Sequence, residues 1–103
     1  MTHPLPVHIV SSAERAIGEA AIWWGKNRDK APEAFFEELE RGLQLISAQP
    51  EIGSKARNIK LAGIRRIHLS RIRYFLYYRV ISSPESVEVI AFWHANRETE
   101  PSP

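Results

Sequence analysis

Apolar residues in this chain recur at two different periods, and the change of period divides it. From Ala13 to Ile46 they fall at helical spacing, and from Ile67 to Val80 they alternate one by one. A residue set spaced for a 3.6-residue turn cannot line one face of a strand, and the reverse also holds. The chain must therefore fold as helices followed by strands, the pattern of an α+β domain.

The helical half has internal punctuation. "VHIVSS" is a short β-branched run, read as a first strand ending near Ser11. Ser11 and Glu14 form an S-x-x-E capping box. Ala13, Ile17, Ala20, Ala21 and Trp24 then define a first helix over about 12–28. Pro32 and Glu33 suit the first turn of a second helix, with Phe35, Leu39, Leu43 and Ile46 as its buried stripe. That helix should stop before Pro50, because the residue preceding proline is pushed out of helical conformation. The short connection makes the pair an antiparallel hairpin.

After a loop over 51–63, three strands follow. In "IRRIHLS", Ile67 and Leu69 oppose Arg66 and His68. In "RYFLYYRVI", Tyr74, Leu76, Tyr78 and Val80 share one face and Arg73, Phe75, Tyr77 and Arg79 the other. "SSPES" is a turn, and "VEVIAFWH" is apolar on both faces, as a central strand would be. The expected order is β-α-α-β-β-β. An antiparallel C-terminal three-strand meander plus the N-terminal strand packs against the N-terminal helical hairpin. A length of 103 residues implies one domain over 1–103, with about 95–103 a flexible tail.

Composition removes several classes of function. With no cysteine, disulfides and thiolate metal sites are excluded and a reducing cytoplasm is the default. No apolar run approaches the roughly 20 residues that span a bilayer, and "MTHPLPVHIV" lacks the features of a signal peptide. Neither a phosphate-binding glycine loop nor a nucleophile elbow is present. The four histidines show no ligand spacing, so neither metal nor cofactor is expected. The acidic run "EELE", 37–40, reads as a solvated helix face, and Trp23 and Trp24 as core.

Charge is the feature that points outward. Residues 1–51 carry five bases and eight acids, residues 52–84 carry eight bases and no acid, and residues 85–103 carry one base and four acids. Repulsion within the middle block would be relieved by an anionic partner. Arginine binds phosphate or carboxylate bidentately, and same-face residues on neighbouring strands can converge on one group. If the block gathers on one sheet surface, its target-binding face comprises Arg65, Arg66, Arg71, Arg73 and Arg79. His68, two residues from Arg66 on the same expected face, could act as a base or as a plain hydrogen-bonding residue.

Three stretches in order, "LISAQPEIG", "GIRRIHLSRIRYFLYYRV" and "VEVIAFWHANRE", resemble the ParE/RelE superfamily of type II toxin–antitoxin toxins. The resemblance runs through most of the chain and adds His94 and Arg97, at and after the last strand, to the basic face. For the RelE-type branch it implies ribosome-dependent mRNA cleavage, with Arg66, His68 and Arg97 at matching positions. Two features of that branch are missing: Phe75 stands where an arginine follows the strand tyrosine, and no tyrosine occurs after Tyr78. ParE-type members are similar in the R-R…Y…YR…H pattern and lack the ribonuclease residues. That branch implies inhibition of DNA gyrase by binding, which blocks replication. Both imply a cognate, acidic antitoxin, ParD-like or other, in a toxin–antitoxin hetero-oligomer. The partner beyond it is DNA gyrase or, in the alternative, the ribosome and mRNA. A non-toxic binding module of the same fold is the third reading.

Overall fold

The computed structural model describes residues 4–28, 31–56 and 62–95. Strand β1 (Val7–Ile9) leads into helix α1 (Ser11–Asn27), and α2 (Ala34–Ala48) follows. Four more strands follow among the described residues: β2 (Ser54–Lys55), β3 (Arg65–Leu69), β4 (Tyr74–Ser82) and β5 (Glu85–His94). They form one sheet in the order β1-β5-β4-β3-β2. The α+β architecture and the meander match the sequence expectation, with two differences. The sheet is mixed, because β1 runs parallel to β5. It also gains β2, a two-residue strand inside the expected 51–63 loop, paired antiparallel with β3.

Helix α1 starts without its expected capping box. Val10 is the cap residue and no side chain caps the helix. Val10 is held in extended conformation by its N–H bond to the Val89 carbonyl (3.0 Å). The helix therefore springs from the strand end, and the Glu14 amide donates to the Val10 carbonyl (2.9 Å). Ser11 falls inside the helix, where its hydroxyl cannot play the cap role. Helix α2 ends at Ala48, ahead of Pro50, as expected.

Both helices cover the same face of the sheet. Ala13, Ile17, Ala20 and Trp24 of α1 and Phe35, Leu39 and Ile46 of α2 pack with Leu69, Leu76, Tyr78, Val87, Val89 and Phe92. Phe35 sits at the centre, edge-on to Phe92 (6.0 Å between centroids) and Tyr74 (6.4 Å), while Tyr74 stacks on Phe92 at 4.5 Å. Aromatic pairs of this kind contribute about 0.5–1.5 kcal/mol each beyond burial. Trp24 closes the helix turn by donating from Nε1 to the Ala31 carbonyl (2.9 Å). Trp23 is about half exposed, so only one of the two tryptophans is core.

The doubly apolar pattern of β5 is resolved by a bulge. Tyr77 faces Ala91 and Tyr78 faces Val89, which leaves Ile90 as an extra residue. Ile90 and Ala91 then join Ile64 and Tyr77 in a small second cluster, edged by Phe75 and Trp93, on the sheet face away from the helices. Val89 and Phe92 stay with the helices.

Two glycines mark close approaches of different kinds. A Cβ on Gly53 would lie 2.6 Å from the Tyr78 hydroxyl oxygen and 2.8 Å from the Arg66 carbonyl oxygen. A Cβ on Gly42 would meet Leu69 Cδ2 at 2.6 Å, the movable end of a side chain. Gly53→Ala is expected to cost about 1–3 kcal/mol, since backbone and an anchored phenol must shift. Gly42→Ala gains up to about 1 kcal/mol of helix propensity against that displacement and should be much milder. Urea unfolding of the two variants checks the ranking, and equal midpoints would refute it.

Candidate functional site

The cationic residues of β3, β4 and their connecting turn do not form one surface. Strand alternation puts Arg65 and Arg66 on opposite sides of the sheet, and other members are drawn to nearby carboxylates. The expectation of a single basic face is corrected accordingly, residue by residue.

Arg65 serves the fold. It pairs in register with Tyr78, and its Nη1 donates to the Gly53 carbonyl (2.7 Å) and the Glu51 carbonyl (3.2 Å). Tyr78 completes the same latch: its hydroxyl donates to the Pro50 carbonyl (2.8 Å) and accepts from the Gly53 amide (2.9 Å). Burial pushes the Tyr78 phenol pKa up, which keeps the donating proton in place. The loop after α2 is thus pinned to the sheet by a phenol and a guanidinium.

Arg71 sits in the β3–β4 turn and faces α2. Its Nη1 and Nη2 each lie 3.4 Å from Glu37 Oε1, and its amide donates to Glu38 Oε2 (3.1 Å). Arg79 lies opposite Glu88 in the β4–β5 register and donates to it from Nε at 2.8 Å. His94 is on the helix side, edge-on to Tyr74 at 5.0 Å. Arg97 lies outside the described residues.

Arg66 and His68 do share the face away from the helices. The Arg66 guanidinium carbon sits 4.1 Å above the Phe75 ring, and Nη1 is 3.4 Å from the Tyr77 hydroxyl. His68 is exposed and its ring is 4.9 Å from Phe75. No described helix packs against this face.

Arg73 is exceptional. It ends the β3–β4 turn with φ 63°, in the left-handed region, and its side chain is exposed. Its amide donates to the Leu69 carbonyl (2.8 Å) and its carbonyl accepts from the Ala95 amide (2.8 Å), so the turn is fixed at both ends. An L-residue in this conformation costs roughly 1–2 kcal/mol that glycine would not. Strain of this kind is retained when the surroundings over-determine it, and it clusters at functional sites.

The acidic run 37–40 differs from its expected role as a solvated face at one residue: Glu38 is only 2% exposed. It accepts from Arg41 Nε (2.8 Å) as well as from the Arg71 amide. The helical spacing of Phe35, Glu38, Leu39 and Gly42 carried the signal, since all four are buried. The Arg41 hydrogen bond, followed by the Arg71 amide and the two positive charges, holds the Glu38 carboxyl pKa below its ordinary value, although burial opposes this. Among the described residues no group of three or more histidine, aspartate or glutamate side chains is placed to hold a metal ion. No helix among them is long and apolar enough to cross a membrane.

The fold is similar to that of a chain in a solved toxin–antitoxin structure. The chain matches one from a "Chromosomal ParDE TA system from P. aeruginosa" with a TM-score of 0.70 and 13% identity, covering 92% of this chain and 100% of that one. At that identity the likeness is one of fold. No curated protein matches the chain significantly. A family model described as "ParE toxin of type II toxin-antitoxin system, parDE" matches residues 10–99. The chain belongs to this ParE toxin family.

Because the folded Glu38 pKa is depressed, its contribution to stability is complete above the ordinary glutamate value of 4.5 and disappears as pH falls through the lower folded value. Glu38→Gln should therefore show less acid-induced loss of stability below about pH 4.5 than the parent chain. Urea midpoints taken from pH 7 down to pH 3 test this, and parallel pH profiles for the two proteins would contradict it.

Proposed function

We propose that this chain arrests bacterial growth in the cytoplasm by binding and poisoning DNA gyrase, and that a cognate antitoxin neutralises it. The observation that carries this reading is the ParE family match over residues 10–99. It is supported at the position after Tyr74, where the RelE-type branch places an arginine. Here Phe75 occupies it, and its ring is committed beneath the Arg66 guanidinium. A toxin acting by binding needs a rigid, exposed contact more than a proton-transfer pair, and Arg73 supplies one at the fixed β3–β4 turn.

The antitoxin's place is the groove beside α1. Strand β1 pairs only with 87–89 of β5, so beyond Val89 no described strand lies along that edge. A cavity of about 340 Å³ opens there, lined by Ala16, Glu19, Ala20 and Trp23 of α1 and by Tyr74, Phe92, Trp93 and His94 of the sheet. Exposed Ile22 and Trp23 extend its apolar surface. An amphipathic antitoxin segment would cover them and could add a strand to the open edge.

The alternative, mRNA cleavage on the ribosome, is favoured by one observation, the shared face of Arg66 and His68. Expression of the chain without its antitoxin separates the two: gyrase supercoiling stalls in vitro if the first holds, and A-site mRNA cuts appear if the second holds. Arg73→Gly sharpens the experiment. It should raise stability by about 1 kcal/mol, by relieving the left-handed backbone, yet weaken gyrase inhibition at least tenfold. Loss of inhibition could not then be ascribed to unfolding. Undiminished inhibition by this variant would remove Arg73 from the target contact.

A further inference from the structure

Among the described residues Glu38 is the one buried acid, and the target contact proposed above does not itself use it. A buried charge is costly, and an apolar side chain of similar volume in its place is often neutral or stabilising. The buried stripe of Phe35, Leu39 and Gly42 around it would accept such a side chain. Packing therefore does not explain a carboxylate here, and its hydrogen bonds are what set it apart.

Helix α2 carries Glu38 onto the β3–β4 turn. A Cβ on Gly42 would lie 2.6 Å from Leu69 Cδ2, so the helix runs hard against the end of β3. Glu38 stands four residues earlier on the same helix face. From there Oε2 accepts from the Arg71 amide (3.1 Å), while Oε1 accepts from Arg41 Nε (2.8 Å). The depressed carboxyl pKa, caused first by the Arg41 hydrogen bond, keeps the group ionised at neutral pH.

The backbone of the turn needs that acceptor. The Leu69 carbonyl accepts from both the Ile72 amide (3.1 Å) and the Arg73 amide (2.8 Å). This is a single helical turn closed by a left-handed residue, Arg73, at φ 63°. A helical turn leaves its first amides without partners inside it. Arg71 carries such an amide, and Glu38 takes it from the helix layer. Ile72 is buried between exposed Arg71 and Arg73, so the turn is anchored at its middle and presents a cation on either side. Without Glu38 it would keep its ties to Leu69 and Ala95 at the exit and lose the one at its entry. The Arg71–Glu37 contact at 3.4 Å joins two exposed side chains and is too weak to replace it.

We propose that Glu38 is a positioning residue: its carboxylate holds the Arg71 amide and thereby fixes the left-handed Arg73 and the direction in which that guanidinium leaves the turn. The functional weight of this assignment rests on the gyrase reading above, in which Arg73 touches the target.

Amide hydrogen exchange, followed by NMR on the full chain, tests the clamp. Glu38→Leu removes the acceptor and fills the space, whereas Glu38→Gln keeps an acceptor oxygen and gives up the charge. Exchange at the Arg71 and Arg73 amides should speed up about tenfold in the first and about threefold in the second. The Val87 amide, which donates to the Pro6 carbonyl, should exchange as in the parent. A general loss of stability would instead speed Val87 by the same factor. Gyrase inhibition should fall about tenfold in Glu38→Leu, and adding Glu38→Leu to Arg73→Gly should weaken it no further than Arg73→Gly alone, because both act at one contact. Circular dichroism checks that the variants are folded; if Glu38→Leu is not, exchange in Glu38→Gln decides. Unchanged exchange at Arg71, equal acceleration at Val87, or losses of inhibition that add in the double variant would overturn the proposal. Local acceleration in a chain that leaves gyrase untouched would refute the gyrase reading alone and leave the clamp standing.

Discussion

One pair of helices can cover only one face of a sheet, and nearly every feature of this structure follows from that limit. The helix-side face is apolar from β1 to β3 and is knitted by Phe35, which touches residues from both neighbouring strands and from α1. The second face has no such cover among the described residues. It is stabilised instead by side chains that are apolar along their length and polar at the tip. Arg66 over Phe75 is the clearest case, because the guanidinium shields the ring. The bulge at Ile90 supplies the remaining apolar filling of that face without disturbing Val89 and Phe92.

The same limit sorts the positive charge. Arginines at turns and on alternating strand positions cannot all face one way, so each finds its own neighbours. Arg65 fastens the loop after α2, Arg71 reaches back to the acidic helix, and Arg79 is balanced by Glu88 across the strand pair. Exposed pairs such as Arg71 with Glu37 contribute little, about 0–1 kcal/mol. Arg73 stands exposed at the strained turn, and Arg66 and His68 share the face away from the helices.

Much of the fold was legible because it depends on local periodicity. The α1 stripe, the α2 stripe, the stop before Pro50 and the two-sided alternation of β3 and β4 all recur in the structure at the expected residues. The misreadings share a cause, which is a distant partner. Ser11 does not cap α1, because Val89 holds Val10 in place. Glu38 is no surface acid, because the β3–β4 turn folds down onto it. The parallel pairing of β1 and the short β2 depend on strands far along the chain. The candidate site was legible as a list of residues but not as a surface. Arg66 and His68 stand together as expected, Arg65, Arg71 and Arg79 are engaged elsewhere, and nothing in the local sequence announces that Arg73 is left-handed.

The chain's sequence alone settled the class of fold, the single acid-free block between the helices and the last strand, and the resemblance that led to the ParE family. Each of those is a property of residues within a few positions of one another. Tertiary structure decided which charges remain available, since that depends on which carboxylates and carbonyls the folded backbone brings within reach. It also decided that Trp93 belongs with Phe75, because an extra residue in β5 changes which face a side chain takes, and only pairing with β4 reveals it.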